Sequence, residues 1–138
     1  MKSCLEAHVL RLSPGQDPKA ILMEYVRNHN ISAASIASGV GSLALTIMRF
    51  ANQKESVKLE GFREVVSISG TLCADGAHLH LSVSDSEGAT VGGHLMDGSK
   101  VHTTLEIVLL AYPEVKFERI LDPQTNFLEL LIKDRAGL

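Results

Sequence analysis

The most constraining stretch of this sequence is residues 76–95, which hold three of the six histidines. From His78 to Ser84 apolar and polar residues alternate strictly, as they do in a strand with one buried face. The next residues, Asp-Ser-Glu-Gly, have the composition of a turn, and alternation resumes from Thr90 to Leu95. The stretch is therefore predicted to be an antiparallel β-hairpin.

The register of this hairpin decides which side chains share a face, because a shift of one residue reverses every side chain. A three-residue loop at 86–88, with Gly88 in a left-handed conformation, pairs His80 with His94. A two-residue loop would pair His80 with Gly93 and split the histidines between two faces. We favour the longer loop because it alone groups the apolar residues, namely Leu79, Leu81, Val83, Val91 and Leu95. The opposite face then carries His78, His80 and His94.

The composition favours a single soluble domain in the cytoplasm. A chain of 138 residues can bury one core, and its apolar share of 45% is ordinary for a globular protein. The net charge is −3 and the basic residues are scattered, which argues against nonspecific nucleic-acid binding through a basic face. Cys4 and Cys73 lie far apart without a CxxC motif, so reduced thiols are expected. No apolar run suits a signal core or a membrane span, and no membrane partner is expected.

The rest of the chain is predicted to contain several short strands and one clear helix. Asp17 can cap a helix that starts at Pro18, and apolar residues spaced three and four apart extend it to about Asn28. Strands are predicted at 4–12, 43–51, 65–73, 101–112, 115–121 and 127–132, with a short strand or loop at 57–62. Residues 105–110 could also be mistaken for a helix. We expect a single α+β domain over 1–138, with a flexible tail at 133–138.

Two glycine-containing segments have a structural rather than a chemical interpretation. The run from Ile31 to Gly41 is rich in small residues, as expected where backbones approach closely or a turn is tight. Its end, Gly-Val-Gly-Ser, lacks the GK[ST] ending and the following helix of a phosphate loop. Gly92 and Gly93 most simply permit a close backbone approach.

Several segments resemble the plants-and-prokaryotes conserved (PPC) domain family. They are Gly-Ala-His-Leu-His-Leu-Ser-Val-Ser-Asp-Ser-Glu-Gly at 76–88, Gly-Gly-His-Leu-Met-Asp-Gly at 92–98 and Val-His-Thr-Thr-Leu-Glu-Ile-Val-Leu at 101–109. Residues 67–72 and 39–43 resemble an upstream strand and an earlier glycine turn of the family. The resemblance covers nearly the whole chain. It implies a mostly antiparallel β-sheet with the N-terminal helix packed on it, assembled as a homotrimer.

The same resemblance implies a role. Prokaryotic single-domain members are commonly labelled as DNA-binding proteins, and the plant relatives join the domain to an AT-hook, a basic Arg-Gly-Arg-Pro segment that enters the minor groove. This sequence contains no such segment. The hypothesis from the family is a homotrimeric protein associated with DNA or transcription, and noncatalytic rather than an enzyme.

The histidine face supports a rival hypothesis. His78 and His80 lie roughly 6.6 Å apart along one strand, and His94 lies across from His80 with Cβ atoms about 5 Å apart. Three protein ligands with an open fourth position are typical of catalytic zinc sites. We therefore predict that His78, His80 and His94 bind a divalent transition metal such as zinc, in a small-ligand protein or a metal-dependent enzyme. The face could instead be a subunit interface or solvated surface.

A few other residues carry reactive groups. His102 and Glu106 share a face of their strand and could add a fourth ligand or an acid/base group, although the sequence does not place that strand beside the hairpin. Cys73 is expected to be a buried thiol rather than a nucleophile. Asp85 and Glu87 are expected to form the turn rather than a catalytic pair.

Overall fold

A computed structural model describes residues 3–135. The elements in chain order are β1 (Glu6–Leu12), α1 (Pro18–Asn28), β2 (Ala34–Arg49), β3 (Val57–Cys73), β4 (Gly76–Ser84), β5 (Thr90–Leu95), β6 (Lys100–Ala111), β7 (Val115–Leu121) and β8 (Leu128–Asp134). A six-stranded sheet has the order β1-β6-β2-β3-β4-β5, and β7 pairs with β8 in a second sheet. Every strand pair is antiparallel. The predicted α+β fold is confirmed.

The six-stranded sheet curls until its last strand meets β2. Met48 and Arg49, at the end of β2, pair with Leu95 and His94 of β5. Strands β2, β3, β4 and β5 therefore form a closed ring. Strands β2 and β3 are long, with 16 and 17 residues. Each can therefore pair with more than one neighbouring strand along its length.

The N-terminal helix forms where the sequence predicts it. Asp17 caps α1, since its Oδ1 accepts hydrogen bonds from the backbone N–H groups of Lys19 at 3.1 Å and Ala20 at 3.4 Å. The Asp17 Oδ2 atom also accepts a bond of 2.6 Å from the backbone N–H of Gly98, before β6. One carboxylate thus joins the helix start to a distant turn. With 11 residues, α1 lacks the length and apolar character of a membrane-crossing helix, and residues 3–135 contain no such helix.

The core is built from one face of the helix and the inner face of the sheet. Leu22 and Val26 of α1 are fully buried in it. Four of the five apolar residues predicted for the hairpin are also buried there, namely Leu79, Leu81, Val83 and Leu95. Val91 shares their face as the cross-strand partner of Val83, but it is 36% exposed and lies outside the core. Since β5 contacts β2 only through its last two residues, Val91 has a strand on one side alone.

Gly41 lies inside a continuous strand and not in a turn. A Cβ atom at this position would lie 2.1 Å from the carbonyl oxygen of Thr104, and the φ angle of Gly41 is +153°. The sequence predicts either a tight turn or a close backbone approach for this segment. The structure shows the close approach. The segment at 105–110 is a strand, within β6.

The two segments predicted at 57–62 and 65–73 are one strand, β3. Its pairing with β4 shifts between Val65 and Ser67, which marks a β-bulge. The extra residue reverses the alternation, so Val65 is 5% exposed and Val66 is 58% exposed. Val66 therefore points away from the core.

The C-terminal strand extends into the segment predicted to be a flexible tail. Lys133 pairs with Lys116 and Asp134 with Val115 in the β7–β8 ladder. The Lys133 Nζ atom lies 2.6 Å from the Glu118 carboxylate. Strand pairing therefore holds these two residues, and the backbone N–H of Arg135 donates to the carbonyl oxygen of Glu114 at 2.9 Å. The last three residues of the predicted tail, 136–138, lie outside the described residues.

Candidate metal centre

Strands β4 and β5 form the predicted hairpin in the predicted register. His80 pairs with His94, and a backbone hydrogen bond between Asp85 and Ala89 just beyond the strand ends leaves a loop of three residues, 86–88. Gly88 is left-handed, with a φ angle of +83°. The backbone N–H of Asp85 donates to the carbonyl oxygen of Ala89 at 3.0 Å and closes the loop. Both partnered histidines therefore point to the same face of the hairpin.

The three predicted ligands converge on that face. The donor nitrogens of His78, His80 and His94 all lie within 4.8 Å of one another. The rings of His78 and His94 are stacked at 5.2 Å with an interplanar angle of 16°, and His80 meets both edge-on at 4.9 and 4.8 Å. Tetrahedral zinc with Zn–N bonds of about 2.0–2.1 Å places its nitrogens about 3.3 Å apart. The observed donor spacing exceeds that value by at most about 1.5 Å.

Partial burial and nearby cations lower the pKa of two of these imidazoles and so favour their neutral form. Burial lowers the pKa of His78 below its ordinary value of 6.5, and the charges of His80 and Arg119 lower it further. Burial is also the main cause that lowers the pKa of His94, followed by the charge of Arg49. Metal ions bind neutral imidazole, so both pKa shifts favour the ligating form near neutral pH.

Two arginines flank the histidine cluster. Arg49 is the cross-strand partner of His94 between β2 and β5. Arg119 of β7 donates from Nη2 to the Thr71 hydroxyl at 2.7 Å, and Thr71 is the cross-strand partner of His78. Each of the two outer histidines therefore has a guanidinium group nearby. The sequence pattern had no signal for either arginine, because the contacts depend on the curl of the sheet and on the packing of β7.

Two of the three histidines, His78 and His94, line a cleft of about 790 Å³ together with Arg49 and Arg119. The β7–β8 hairpin contributes an apolar part of its lining through Leu121, Phe127 and Leu128, which are 65%, 64% and 63% exposed. Small-molecule sites usually enclose about 300–1,000 Å³ and combine apolar lining with a few polar groups. The cleft has the size and the mixed lining of such a site.

The suggested fourth ligands lie elsewhere. His102 stacks on Phe62 with ring centroids 3.9 Å apart, and Glu106 pairs with Arg11 and Val40 in the sheet. Neither belongs to the metal-ligand group found among residues 3–135. Strands β2 and β3 separate β6 from β4 in the sheet, which explains why the suggestion is wrong.

The remaining candidate residues have structural roles. Cys73 is a buried free thiol whose Sγ donates to the carbonyl oxygen of Gly76 at 3.7 Å. The Asp85 Oδ1 atom accepts from the backbone N–H groups of Glu87 at 3.0 Å and Ala89 at 2.9 Å, as a turn-forming residue does. Gly93 lies against the backbone of β2, which confirms the expected close approach.

The fold and the site define a class: a small α+β domain with a curled antiparallel sheet and a three-histidine cluster on one hairpin. Residues 1–113 match the family described as the Plants and Prokaryotes Conserved (PCC) domain, written PPC above. The chain belongs to this family. A hypothetical protein from Salmonella enterica is 40% identical, with a TM-score of 0.95 and 98% of both chains covered.

Two more distant structures share the fold. The metal-containing protein from Archaeoglobus fulgidus is 28% identical with a TM-score of 0.78, and the match covers 94% of this chain and 95% of that one. A "putative DNA-binding protein" from Ralstonia eutropha is 22% identical with a TM-score of 0.74, and the match covers 91% of this chain and 89% of that one. At 22% identity the latter shows the fold alone.

Curated relatives place a similar sequence inside a longer protein. The bifunctional protein GlmU of two Synechococcus strains is 45% identical over 133 and 132 residues. The match covers 96% of this chain but 21% of each relative. This chain therefore spans about a fifth of the length of the curated relatives that it matches.

Proposed function

We propose that this protein binds a divalent transition metal ion through His78, His80 and His94 and presents it to a small ligand. The observation that carries the proposal is the convergence of the three donor nitrogens within 4.8 Å on one hairpin face. The metal content named for the Archaeoglobus fulgidus relative, which is 28% identical, supports it.

The donor set fits a zinc-type ion with an open position. Three neutral imidazoles are a recurring ligand set of catalytic zinc, in which a fourth position takes water or substrate. Within residues 3–135 the ligand group includes no carboxylate and no thiolate, so no fourth protein ligand closes the site. A bound ion would supply Lewis-acid chemistry at that open position. Imidazole also binds copper, iron and nickel. The identity of the metal therefore has to be measured.

Elemental analysis of protein purified without an affinity tag tests the metal proposal. We expect about one zinc-type ion per chain after dialysis against zinc, and loss of that ion in the His80→Ala/His94→Ala double variant. A matched double variant, His29→Ala/His102→Ala, removes two histidines outside the cluster and should keep the ion. Unchanged stoichiometry in the first variant, with circular dichroism showing a folded chain, would rule the site out.

We also propose that the chain assembles as a homotrimer, as the family resemblance implies. Large apolar side chains on three strands of the main sheet support assembly: Val9, Val40 and Val66 are 76%, 58% and 58% exposed. Apolar surface of this kind commonly marks a protein interface. Light scattering should give three times the 14.9 kDa chain mass. A monomeric mass would contradict the trimer and leave the metal proposal intact.

DNA binding is a second candidate function, because prokaryotic family members carry that label and the Ralstonia eutropha structure shares the fold. The net charge of −3 gives it no electrostatic support. A duplex mobility assay separates the candidates. Retardation at low salt that weakens steeply as salt rises would favour DNA, whereas the metal proposal alone predicts no retardation.

A further inference from the structure

We infer that the cleft beside the histidine cluster binds a small organic anion whose carboxylate is held by Arg49 and Arg119. The inference rests on the proposed metal site and specifies the chemical class of its ligand. It follows from the charge of the two arginines, from how they are held, and from the apolar lining of the same cleft.

Among residues 3–135, the two arginines have no carboxylate partner. The ion pairs found within residues 3–135 use Lys19, Lys58, Arg63, Lys116 and Lys133. Neither Arg49 nor Arg119 lies within 4.0 Å of a carboxylate oxygen in that part of the chain. Guanidinium groups match carboxylates in shape and charge, and their planar donors can bind both oxygens.

Both guanidinium groups are held in place by oxygen acceptors that carry no charge. The Arg49 Nη1 atom donates to the carbonyl oxygen of Gln53 at 3.0 Å. The Arg119 Nη2 atom donates to Thr71, and among the described residues the buried Nε of Arg119 has no acceptor. These contacts fix the groups and leave other donor positions available. A ligand carboxylate therefore meets donors that need little reordering.

The charge inside the cleft also favours an anion. Glu129 and Asp75 line it and offset the two guanidinium charges, while Lys19 is already paired with Asp97 at 3.1 Å. A divalent ion on the histidines would then leave the cleft with net positive charge. An anionic ligand would neutralise that charge in a partly desolvated site.

The apolar lining selects an organic ligand over an inorganic one. Leu121, Phe127 and Leu128 offer exposed carbon surface in the cleft, which phosphate or sulfate cannot use. The volume of about 790 Å³ also exceeds what such a small ion needs. A carboxylate with a short branched apolar tail would contact the arginines and the β7–β8 hairpin together.

Cobalt-loaded protein provides the test, because the visible absorption of Co²⁺ changes when a new oxygen ligand binds. We would titrate the full chain with 4-methyl-2-oxopentanoate, which combines a carboxylate, an adjacent carbonyl oxygen and a branched tail. We expect a saturable spectral change. Its apparent Kd should rise about tenfold to a hundredfold in Arg119→Gln and in Arg49→Gln, since each loses a charged hydrogen bond.

The matched control is Arg11→Gln, which changes an exposed arginine bonded to Thr104 and should leave the Kd unchanged. Circular dichroism and cobalt stoichiometry would confirm that each variant is folded. Bound cobalt with no response to the oxo acid would overturn this inference and leave the metal site standing. Failure to bind cobalt would overturn both. Tighter binding of inorganic phosphate than of the oxo acid would overturn the choice of an organic ligand.

Discussion

Gly93 of β5 lies so close to Arg49 of β2 that a Cβ atom at residue 93 would be 2.6 Å from the Arg49 carbonyl oxygen. The contact occurs where β2 pairs with β5 and closes the ring of strands. His94 follows Gly93 directly and is the cross-strand partner of Arg49. The absence of a side chain at residue 93 therefore helps to place a candidate ligand beside a cation.

Replacing Gly93 should weaken this closure. We expect Gly93→Ala to lower the free energy of unfolding by about 1–3 kcal/mol, because the added methyl group must push backbone apart. Urea unfolding measures the change. Gly76→Ala is the matched control, since its Cβ would meet only the Arg119 side chain, at 3.8 Å. Equal losses in the two variants would show that the contact has no special role.

The two valines paired across the hairpin should respond differently to the same substitution. Val83 is fully buried and its partner Val91 is 36% exposed. We expect Val83→Ala to cost about 2 kcal/mol, from two lost methyl groups and a small cavity. Val91→Ala should cost well under about 1 kcal/mol. Thermal or urea unfolding of both variants would check this, and a larger loss at Val91 would contradict the difference in burial between the two valines.

Asp17 should contribute to stability through both carboxylate oxygens. Asp17→Ala removes the helix cap and leaves the backbone N–H of Gly98 without its acceptor. We expect a loss of about 1–3 kcal/mol. Asp17→Asn retains a capping oxygen but places an amide donor toward Gly98, so its loss should be intermediate. If the two variants are equally stable in urea, the retained cap contributes nothing. If Asp17→Asn is as stable as the unmodified chain, the bond to Gly98 contributes nothing.

The metal-free protein should lose stability on mild acidification. The folded chain lowers the pKa of His78 and His94 below the ordinary 6.5 at which the unfolded chain protonates. Below pH 6.5 the unfolded state therefore binds more protons than the folded state, and the free energy of unfolding falls. The decrease should level off once the pH drops below the folded pKa values.

Melting temperatures between pH 7.5 and 5 would measure this dependence in the presence of a chelator. The His78→Gln/His94→Gln variant should show a flatter profile than the unmodified chain. His102→Gln, which changes a histidine outside the cluster, is the control and should keep the original slope. A double variant as pH-sensitive as the unmodified chain would show that other groups cause the effect.

The local features of this protein can be predicted because their causes lie within short segments. Strict alternation over 78–84 and a turn with Gly88 set the hairpin register, and that register groups three histidines. Asp17 followed by Pro18 sets the start of the helix in the same way. Each depends on the geometry of a few adjacent residues, which sequence reasoning captures.

Other features arise only when distant strands meet. The bulge after Val65 reverses the exposure of Val66, and a hydrophobic pattern does not reveal where an extra residue enters a ladder. The curl of the sheet brings Arg49 to His94, and the packing of β7 brings Arg119 to Thr71. Sequence alone thus predicts the three imidazoles as a group, since local strand geometry controls them. The positions of the two arginines and the shape of the cleft follow from long-range packing. They depend on the curvature of the sheet and on the contacts between sheets, to which residues of many strands contribute.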